Sequence, residues 1–270
     1  MRESDTNTSL NVLIRGICTS RLRMNILLSL ENEPLSLSDL KHEVKADAPN
    51  TVSKAKELEE LGLVLRNHGE YCLTPFGRII RSKLIEFQDL LTTFNTNNLW
   101  WSTHNLEGIP LEFRNRLSVF SDAILVEDTK TEPEKAYTHK LNLMLKAKKR
   151  AEGIVMMYSN KCLDTVVNCL ERELIIRLVI PPDIVKLMYN PDIIKKSKKM
   201  FSFSNLYMRE ANFEFSSLLI DDVLMLGLFD KVKKDHFDWS AMLFTKKPEA
   251  IEWGEQIFNY YWKHAKVVQF

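Results

Sequence analysis

The residues whose types suggest chemistry are polar side chains on and just after a short predicted helix that begins near Pro49. Seven of them carry hydrogen-bonding groups suited to nucleic acid: Asn50, Thr51, Ser53, Lys54, Glu57, Arg66 and His68. Amide, hydroxyl and ammonium groups bind phosphate oxygens and base edges, and a recognition helix presents them from its N-terminal turns. Lys54 is the strongest candidate for a phosphate or a guanine. The alternative is that these residues form an ordinary solvated helix face.

The elements that must position these side chains lie between Ser36 and Gly77. One short helix is predicted over 38–44, with Ser36 or Ser38 as its cap. A second opens at Pro49 and ends at Gly62. Its apolar stripe repeats at helical spacing: Val52, Ala55, Leu58 and Leu61.

Two predicted strands, 63–66 and 70–73, follow this helix around a turn at 67–69, where Asn67 and Gly69 accept positive φ. The hairpin carries Arg66 and His68, which are expected to meet the DNA backbone or the minor groove. Thr74 and Pro75 then start another helix. Helix, turn, helix and hairpin in this order predict a winged helix-turn-helix domain.

Two runs in this segment resemble prokaryotic winged-helix regulators: Leu58-Glu59-Glu60-Leu61-Gly62-Leu63-Val64 and Tyr71-Cys72-Leu73-Thr74-Pro75-Phe76-Gly77. In the second half, Glu107-Gly108-Ile109-Pro110 and Ala250-Ile251-Glu252-Trp253-Gly254 narrow the resemblance to archaeal regulators of methanogens, related to the filamentation and methanogenesis regulator. The chain departs from that group at His236-Phe237-Asp238, where relatives have Gly-Tyr-Asp, so no ligand role is carried over there.

The charge balance limits how strongly the chain can bind DNA. Its net charge is +1, and the segment 21–89 holds ten Lys and Arg against eleven Asp and Glu. A DNA-binding domain usually has a basic surface, so here the basic residues must be segregated on one face. The rival hypothesis is that the winged helix binds protein within a larger complex.

Composition predicts a cytoplasmic protein. Hydrophobic residues make up 45% of the 270 residues and charged residues 27%, as in soluble globular proteins. No apolar run approaches the roughly 18 residues of a membrane span, and 1–11 is polar, which predicts a frayed tail without a signal peptide. The four cysteines lack metal-ligand spacing and indicate buried free thiols, although Cys162 and Cys169, two turns apart on one predicted helix, leave redox sensing open.

A long helix is predicted over 74–94, with apolar residues spaced 4, 3, 4 and 3 apart: Ile80, Leu84, Phe87, Leu91 and Phe94. Such a heptad seam predicts a homodimer, which would double the DNA contacts. The seam could equally pack on its own domain. A polar stretch at 95–98 marks the expected junction, which gives a DNA-binding domain over 1–95 and a regulatory domain over 96–270.

The second domain alternates strand and helix patterns, which predicts an α/β layer and, for the whole chain, an α+β fold with a winged helix-turn-helix followed by a sensor-like domain. Strands are expected at 122–126, 154–158, 174–180, 205–209, 215–220, 223–229 and 240–244, the last at an edge. Helices are expected at 132–151, 163–173, 183–188 and 248–265.

Aromatic residues near the ends of this domain suggest an apolar pocket for a small-molecule effector, although each could be simple core. The candidate ligand residues are Trp100, Trp101, His104, Tyr207, Arg209, Asp222 and Trp253.

Catalytic patterns were sought and not found. His264-Ala265-Lys266 fits three positions of the phospholipase-D signature His-x-Lys-x-x-x-x-Asp, but the sequence ends at Phe270 without the Asp. No glycine-rich phosphate loop or Gly-x-Ser-x-Gly elbow occurs. We therefore expect no catalytic residues, no cofactor and no metal, which disfavours an enzyme with a winged-helix appendage. The predicted function is a DNA-binding transcriptional regulator.

Overall fold

The structure is a computed structural model that describes residues 3–31, 33–156, 159–232 and 236–268, with side chains described from residue 11. It is a mixed α/β protein that divides into two compact units, Met1–Gln88 and Asp89–Phe270. The division falls seven residues before the predicted domain end at 95, and one helix runs through it. The predicted junction at 95–98 is almost entirely helical.

The first unit consists of helices and a three-stranded antiparallel sheet of order β1-β3-β2. Its elements in chain order are α1 (Glu3–Cys18), α2 (Arg21–Ser29), β1 (Leu35–Ser36), α3 (Leu37–Val44), α4 (Ala48–Glu60), β2 (Val64–Asn67), β3 (Glu70–Leu73) and α5 (Pro75–Thr96). The predicted order of helix, turn, helix, hairpin and long helix is confirmed. The tail predicted over 1–11 is wrong from Glu3 onward, since α1 begins there.

The core of the first unit gathers the apolar faces of α2, α3 and α4 over the hairpin. Ile26, Leu40, Leu58, Leu63 and Tyr71 are fully or almost fully buried in it. A close approach joins the start of α5 to the segment before β2, because a Cβ on Gly77 would lie 2.0 Å from the Leu63 carbonyl oxygen. Only glycine fits this position.

The second unit is built on one sheet. Its elements are α6 (Asn98–Thr103), β4 (His104–Asn105), α7 (Leu111–Arg114), a 3₁₀ turn (Leu117–Phe120), β5 (Ile124–Glu127), α8 (Lys135–Lys146), β6 (Arg150–Ile154), α9 (Asn160–Glu171), β7 (Ile175–Ile180), α10 (Pro182–Leu187), α11 (Ile194–Phe201), β8 (Leu206–Glu210), β9 (Phe215–Ile220), β10 (Val223–Asp230), β11 (Ala241–Thr245), α12 (Pro248–His264) and β12 (Lys266–Val267).

The sheet order is β12-β8-β7-β6-β9-β10-β11-β5, and β4 pairs with β10. Strands β6, β7 and β8 are parallel, and the other pairs are antiparallel. Helices α8 and α9 cover one face, and α12 with the 3₁₀ turn covers the other. Adjacent strand residues therefore point into different cores. Leu178 packs on the side of α8 and α9, and Val179 packs on the side of α12.

Two predicted boundaries in this unit are wrong. The helix predicted over 132–151 ends at Lys146, and β6 begins at Arg150, before the strand predicted at 154–158; residues 157 and 158 lie outside the described residues. The cause is Asp221, whose carboxylate accepts the backbone N–H groups of 148, 149 and 150 at 2.8–3.1 Å and so ends the helical turn. Strand β11 is interior and not an edge, since β5 pairs with its outer side.

Candidate functional sites

Helix α4 is fixed at its start by Asp47. The Asp47 carboxylate accepts the Asn50 N–H at 2.9 Å and the Asn50 side-chain amide at 2.7 Å, and these hydrogen bonds lower the pKa of Asp47. Pro49 occupies the first turn, where its missing N–H costs nothing. The cap orients Asn50, which is exposed beside the helix N-terminus.

The buried face of α4 differs from the predicted stripe at two neighbouring positions. Thr51 is fully buried, and its hydroxyl donates to the Asp47 carbonyl at 2.7 Å. Val52, expected in the core, is 36% exposed. Thr51 is therefore corrected from a phosphate-contact candidate to a core residue, whereas Asn50 and Ser53 lie on the exposed face.

Lys54 is held inside an ion-pair cluster. Its ammonium group donates to Glu57, which also receives the guanidinium of Arg23 from α2. The hydrogen bond from Lys54, supported by Arg23, lowers the pKa of Glu57. Glu57 therefore anchors two cations, and Lys54 is only about one-third exposed.

Lys56 is the exposed cation of α4 that sequence reasoning missed. It lies three residues after Ser53 on the solvent side and makes no hydrogen bond or ion pair to any described residue. Thr51 is the residue that could have revealed it. If Thr51 is assigned to the buried face of α4, the opposite, exposed face includes Lys56.

The hairpin that follows α4 turns through two residues. Asn67 pairs with Glu70 in the ladder, so the turn residues are His68 and Gly69, with φ of 49° and 90°. Asn67 was predicted to take positive φ and does not. Arg66 and His68 are both exposed, and the Arg66 guanidinium lies 5.3 Å from the centre of the Tyr71 ring.

The second unit contains a cavity of about 760 Å³ at the end of β10. The residues that line it come from α6, β4, α7 and the segments that flank β9 and β10: Trp101, Ser102, His104, Asn105, Leu106, Glu107, Arg114, Glu214, Phe229, Asp230 and Lys231. The lining combines aromatic surface with charges of both signs.

His104 is a buried residue that connects the cavity lining to the sheet. Its Nδ1 lies 2.6 Å from the Trp100 carbonyl oxygen, and its Nε2 lies 3.0 Å from an Asp238 carboxylate oxygen. Both ring nitrogens lie within hydrogen-bond distance of an oxygen acceptor, which fixes the orientation of the ring. Asp238 thus holds His104 in the wall of the cavity. It is the one residue of His236-Phe237-Asp238 that this chain shares with the Gly-Tyr-Asp of its relatives.

The charge of Asp238 links this wall to pH. Partial burial alone would raise the pKa of Asp238, but hydrogen bonds from His104 and Ser240 outweigh it and lower the pKa to about 2. A lowered pKa stabilises the folded state above the ordinary value of 3.8, and that stabilisation is lost as pH falls toward 2.

Asp238→Asn is expected to lower the unfolding free energy by about 1 kcal/mol at pH 7, after allowance for solvent screening of a partly exposed group. The difference from wild type should shrink as pH falls from 4 toward 2. Urea denaturation at pH 7, 4 and 3 measures both. Asp222→Asn is the control, because Asp222 makes only an exposed pair with Lys246 at 3.2 Å. A constant difference at all three pH values would contradict the assignment.

The other predicted ligand residues do not gather at this cavity. Trp253 is fully buried and donates to the Phe113 carbonyl at 2.9 Å, and Trp100 stacks on His104 at 4.7 Å. Arg209 donates to the Trp262 carbonyl at 2.6 Å. Tyr207 is half exposed on β8, and Asp222 is exposed in the turn between β9 and β10. Only Trp101 and His104 of the seven line the cavity.

The cysteines on α9 have the environment of structural thiols. Burial raises the pKa of both Cys162 and Cys169, which disfavours the reactive thiolate. Within the described residues, no group of three or more His, Cys, Asp or Glu could hold a metal ion. None of the helices in the described ranges is long and apolar enough to cross a membrane.

Fold and sites define a mixed α/β protein in two units: a helix-and-hairpin unit with an exposed polar helix face, and a sheet unit with a cavity. Two models of one family match most of this chain. The N-terminal domain of the methanogenesis regulatory protein FilR1 matches residues 11–93, and its middle domain matches 133–264. The chain belongs to the FilR1 family of methanogenesis regulatory proteins.

A curated protein of the same family also matches this chain. The methanogenesis regulatory protein FilR1 of Methanothrix harundinacea (strain 6Ac) is 20% identical over 259 residues, which cover 94% of this chain. The chain spans only 57% of that relative's length.

Solved structures show more distant likeness. TrmBL2, an archaeal chromatin protein, is 13% identical with a TM-score of 0.42 and covers 95% of this chain and 97% of its own. The phospholipase D family member Nuc from Salmonella typhimurium is 13% identical with a TM-score of 0.43, over 55% of this chain and 98% of its own.

Proposed function

We propose that this chain is a sequence-specific DNA-binding transcriptional regulator whose first unit is a winged helix-turn-helix. Membership of a regulatory family supports this role. The observation that carries it is the exposed face of α4, where Asn50, Ser53 and Lys56 stand together and none is used in the core. The exposed hairpin with Arg66 and His68 supplies the wing.

The polar face suits DNA in its chemistry. Asn50 offers an amide that can pair with adenine, and Ser53 offers a hydroxyl for phosphate. Lys56, without a partner among the described residues, offers an ammonium group for phosphate or guanine. Lys54 has a smaller role, since Glu57 already neutralises it. The near-neutral unit implies few phosphate contacts and a shallow salt dependence.

The test is selection of bound DNA from a random pool, followed by affinity measurements on the selected site at several salt concentrations. Lys56→Ala should weaken binding about tenfold, as expected for one charge-assisted contact of roughly 1.4 kcal/mol. Lys54→Ala should weaken it less. Lys135→Ala, which removes an exposed and paired lysine of α8, is the matched control. The protein-interaction alternative predicts no selected site and equal, weak affinity for all three variants.

We also propose a homodimer through α5, with a different set of residues from the predicted seam. Leu84 is buried in the first unit's own core, and Phe94 packs on Trp101 with ring centres 5.1 Å apart, so these two are corrected. Phe87 and Leu91 of the seam are 53% and 54% exposed, and Phe76 and Ile79 are exposed as well. This apolar stripe on one helix offers a surface for its copy in a second chain.

Phe87→Glu is therefore expected to yield soluble, folded monomers, because a charge cannot enter a buried apolar interface without a large penalty. Light scattering at micromolar concentration gives the mass. Arg78→Gln, which changes an exposed residue on the opposite side of the same helix, should leave the dimer intact. A wild-type monomer in the same measurement would exclude the proposal.

We propose a sensing role for the second unit, with a small-molecule effector in the cavity beside Trp101 and His104. The cavity volume lies within the range of small-molecule sites, and its lining combines the Trp101 and Phe229 rings with charged groups of both signs. An assembly role without a ligand is the alternative. It predicts that no small molecule raises the melting temperature of the protein.

A further inference from the structure

We propose that the effector of this cavity is a zwitterion, with a carboxylate and an ammonium group on one molecule and an apolar part between them. The inference rests on the proposed sensing role and adds the chemical class of the ligand. Three features of the lining carry it: the Arg114 guanidinium, the carboxylates of Glu107 and Glu214, and an aromatic wall.

Arg114 defines where an anionic group binds. It is partly buried in the lining, and its side chain makes no hydrogen bond or ion pair within the described ranges. Its guanidinium group presents a planar fork of N–H donors that suits a carboxylate.

The carboxylates define where a cationic group binds. Glu107 and Glu214 lie on neighbouring stretches of backbone, since a Cβ on Gly108 would be 2.6 Å from the Glu214 carbonyl oxygen. Neither side chain has an ion-pair partner in the described part of the chain, and both are exposed at the cavity. Their carboxylates offer an ammonium group opposite charge and hydrogen-bond acceptors.

The described lining carries charges of both signs, with Arg114 and Lys231 as cations and Glu107, Glu214 and Asp230 as carboxylates. A dianion would place negative charge beside the carboxylates, and a dication would place positive charge beside Arg114. A molecule with one charge of each sign meets an opposite charge at both of its ends.

The apolar part and the size follow from the remaining lining. Trp101, Phe229 and Leu106 offer a surface for an aromatic or branched group, and about 760 Å³ admits a molecule as large as a dipeptide.

The experiment titrates the full-length protein with phenylalanine, tryptophan and alanyl-phenylalanine, and follows melting temperature and tryptophan fluorescence. At least one zwitterion should stabilise the protein. Its N-acetyl derivative, which lacks the ammonium group, and its amide, which lacks the carboxylate, should each bind at least tenfold more weakly. Arg114→Met should abolish the penalty for the amide, and Glu214→Gln should reduce the penalty for the N-acetyl form. Glu112→Gln, an exposed carboxylate of α7 outside the cavity lining, is the control.

The outcomes separate this proposal from the function on which it rests. Equal binding of either blocked derivative overturns the zwitterion, as does the absence of binding by all three probes. DNA affinity of the same samples is measured without ligand. If specific DNA binding is present but none of the probes binds, the proposed regulatory function is kept and the proposed ligand class is wrong. If specific DNA binding is absent, the proposed function fails whatever the titrations show.

Discussion

Gly77→Ala should unfold the first unit at a temperature about 15 °C lower than in the wild-type protein. The added Cβ would lie 2.0 Å from the Leu63 carbonyl oxygen. That oxygen cannot retreat easily, because it accepts the Thr74 N–H at 3.0 Å and the Thr74 hydroxyl at 3.3 Å. Overpacking against fixed backbone should cost about 3 kcal/mol or more, and each kcal/mol shifts the melting temperature of a unit this size by roughly 4–8 °C.

Gly69→Ala is the matched control in the same unit. Gly69 also requires glycine-like backbone, with φ of 90°, but a Cβ there would meet nothing within 4 Å. Its cost is conformational only, about 1–2 kcal/mol. Calorimetry gives the melting temperature of both variants. The loss in Gly77→Ala reports the steric cost, and the loss in Gly69→Ala reports the conformational cost. Equal destabilisation would show that α5 does not approach Leu63 as closely as the structure has it.

Trp253→Ala is expected to destabilise the second unit by about 3–5 kcal/mol, the range for removal of a fully buried large aromatic side chain. Trp253 is 0% exposed, meets the rings of Phe113 and Phe120 edge to face, and donates to the Phe113 carbonyl. The substitution leaves a large void and removes one hydrogen bond to the Phe113 carbonyl, which still accepts the Arg116 N–H at 3.0 Å. Chemical denaturation followed by circular dichroism measures the loss.

Trp253→Phe separates the two parts of that loss. The smaller ring keeps most of the packing but lacks the indole N–H, so the expected cost falls to about 1–2 kcal/mol. Neither substitution should change the affinity for cavity ligands in protein that remains folded, since Trp253 does not line the cavity. Loss of ligand binding in folded Trp253→Phe would restore Trp253 as a ligand residue.

The strand pattern of the second unit could be predicted because its central strands are buried on both faces. Such strands appear as long apolar runs: β10 is apolar from Val223 to Phe229, and β7 is interrupted only by Arg177. Both strands were located from sequence. The end of α8 could not be located, because it depends on Asp221, more than seventy residues further along the chain. Local patterns contain no information about such a distant acceptor.

The candidate sites show the same division. Periodicity identified α4 as a helix with one polar face, but it ranked Val52 above Thr51 for the core. Thr51 is tolerated there because the Asp47 carbonyl oxygen accepts a hydrogen bond from its hydroxyl group. Clustering of tryptophans predicted a pocket, yet Trp101 lines a cavity while Trp253 fills a core. Both residues are equally apolar, so only the tertiary structure distinguishes them.

The family motif gains a physical meaning from the first unit. In Thr74-Pro75-Phe76-Gly77, the Thr74 hydroxyl donates to the Gly62 carbonyl at 2.8 Å and accepts the Gly77 N–H at 2.9 Å. The threonine thus joins the end of α4 to the start of α5. The glycine is required because the helix passes directly beside Leu63.

The pairing of β5 with β11 sets an order of events during synthesis on the ribosome. Ile124–Glu127 leave the ribosome early, but their partner Ala241–Thr245 is made more than a hundred residues later. At roughly 5–20 residues per second, β5 waits at least several seconds without its neighbour. The first unit, complete once α5 has emerged, can fold during that interval. The nascent chain therefore presents a finished N-terminal unit attached to an open sheet edge, the state in which a chaperone would meet it.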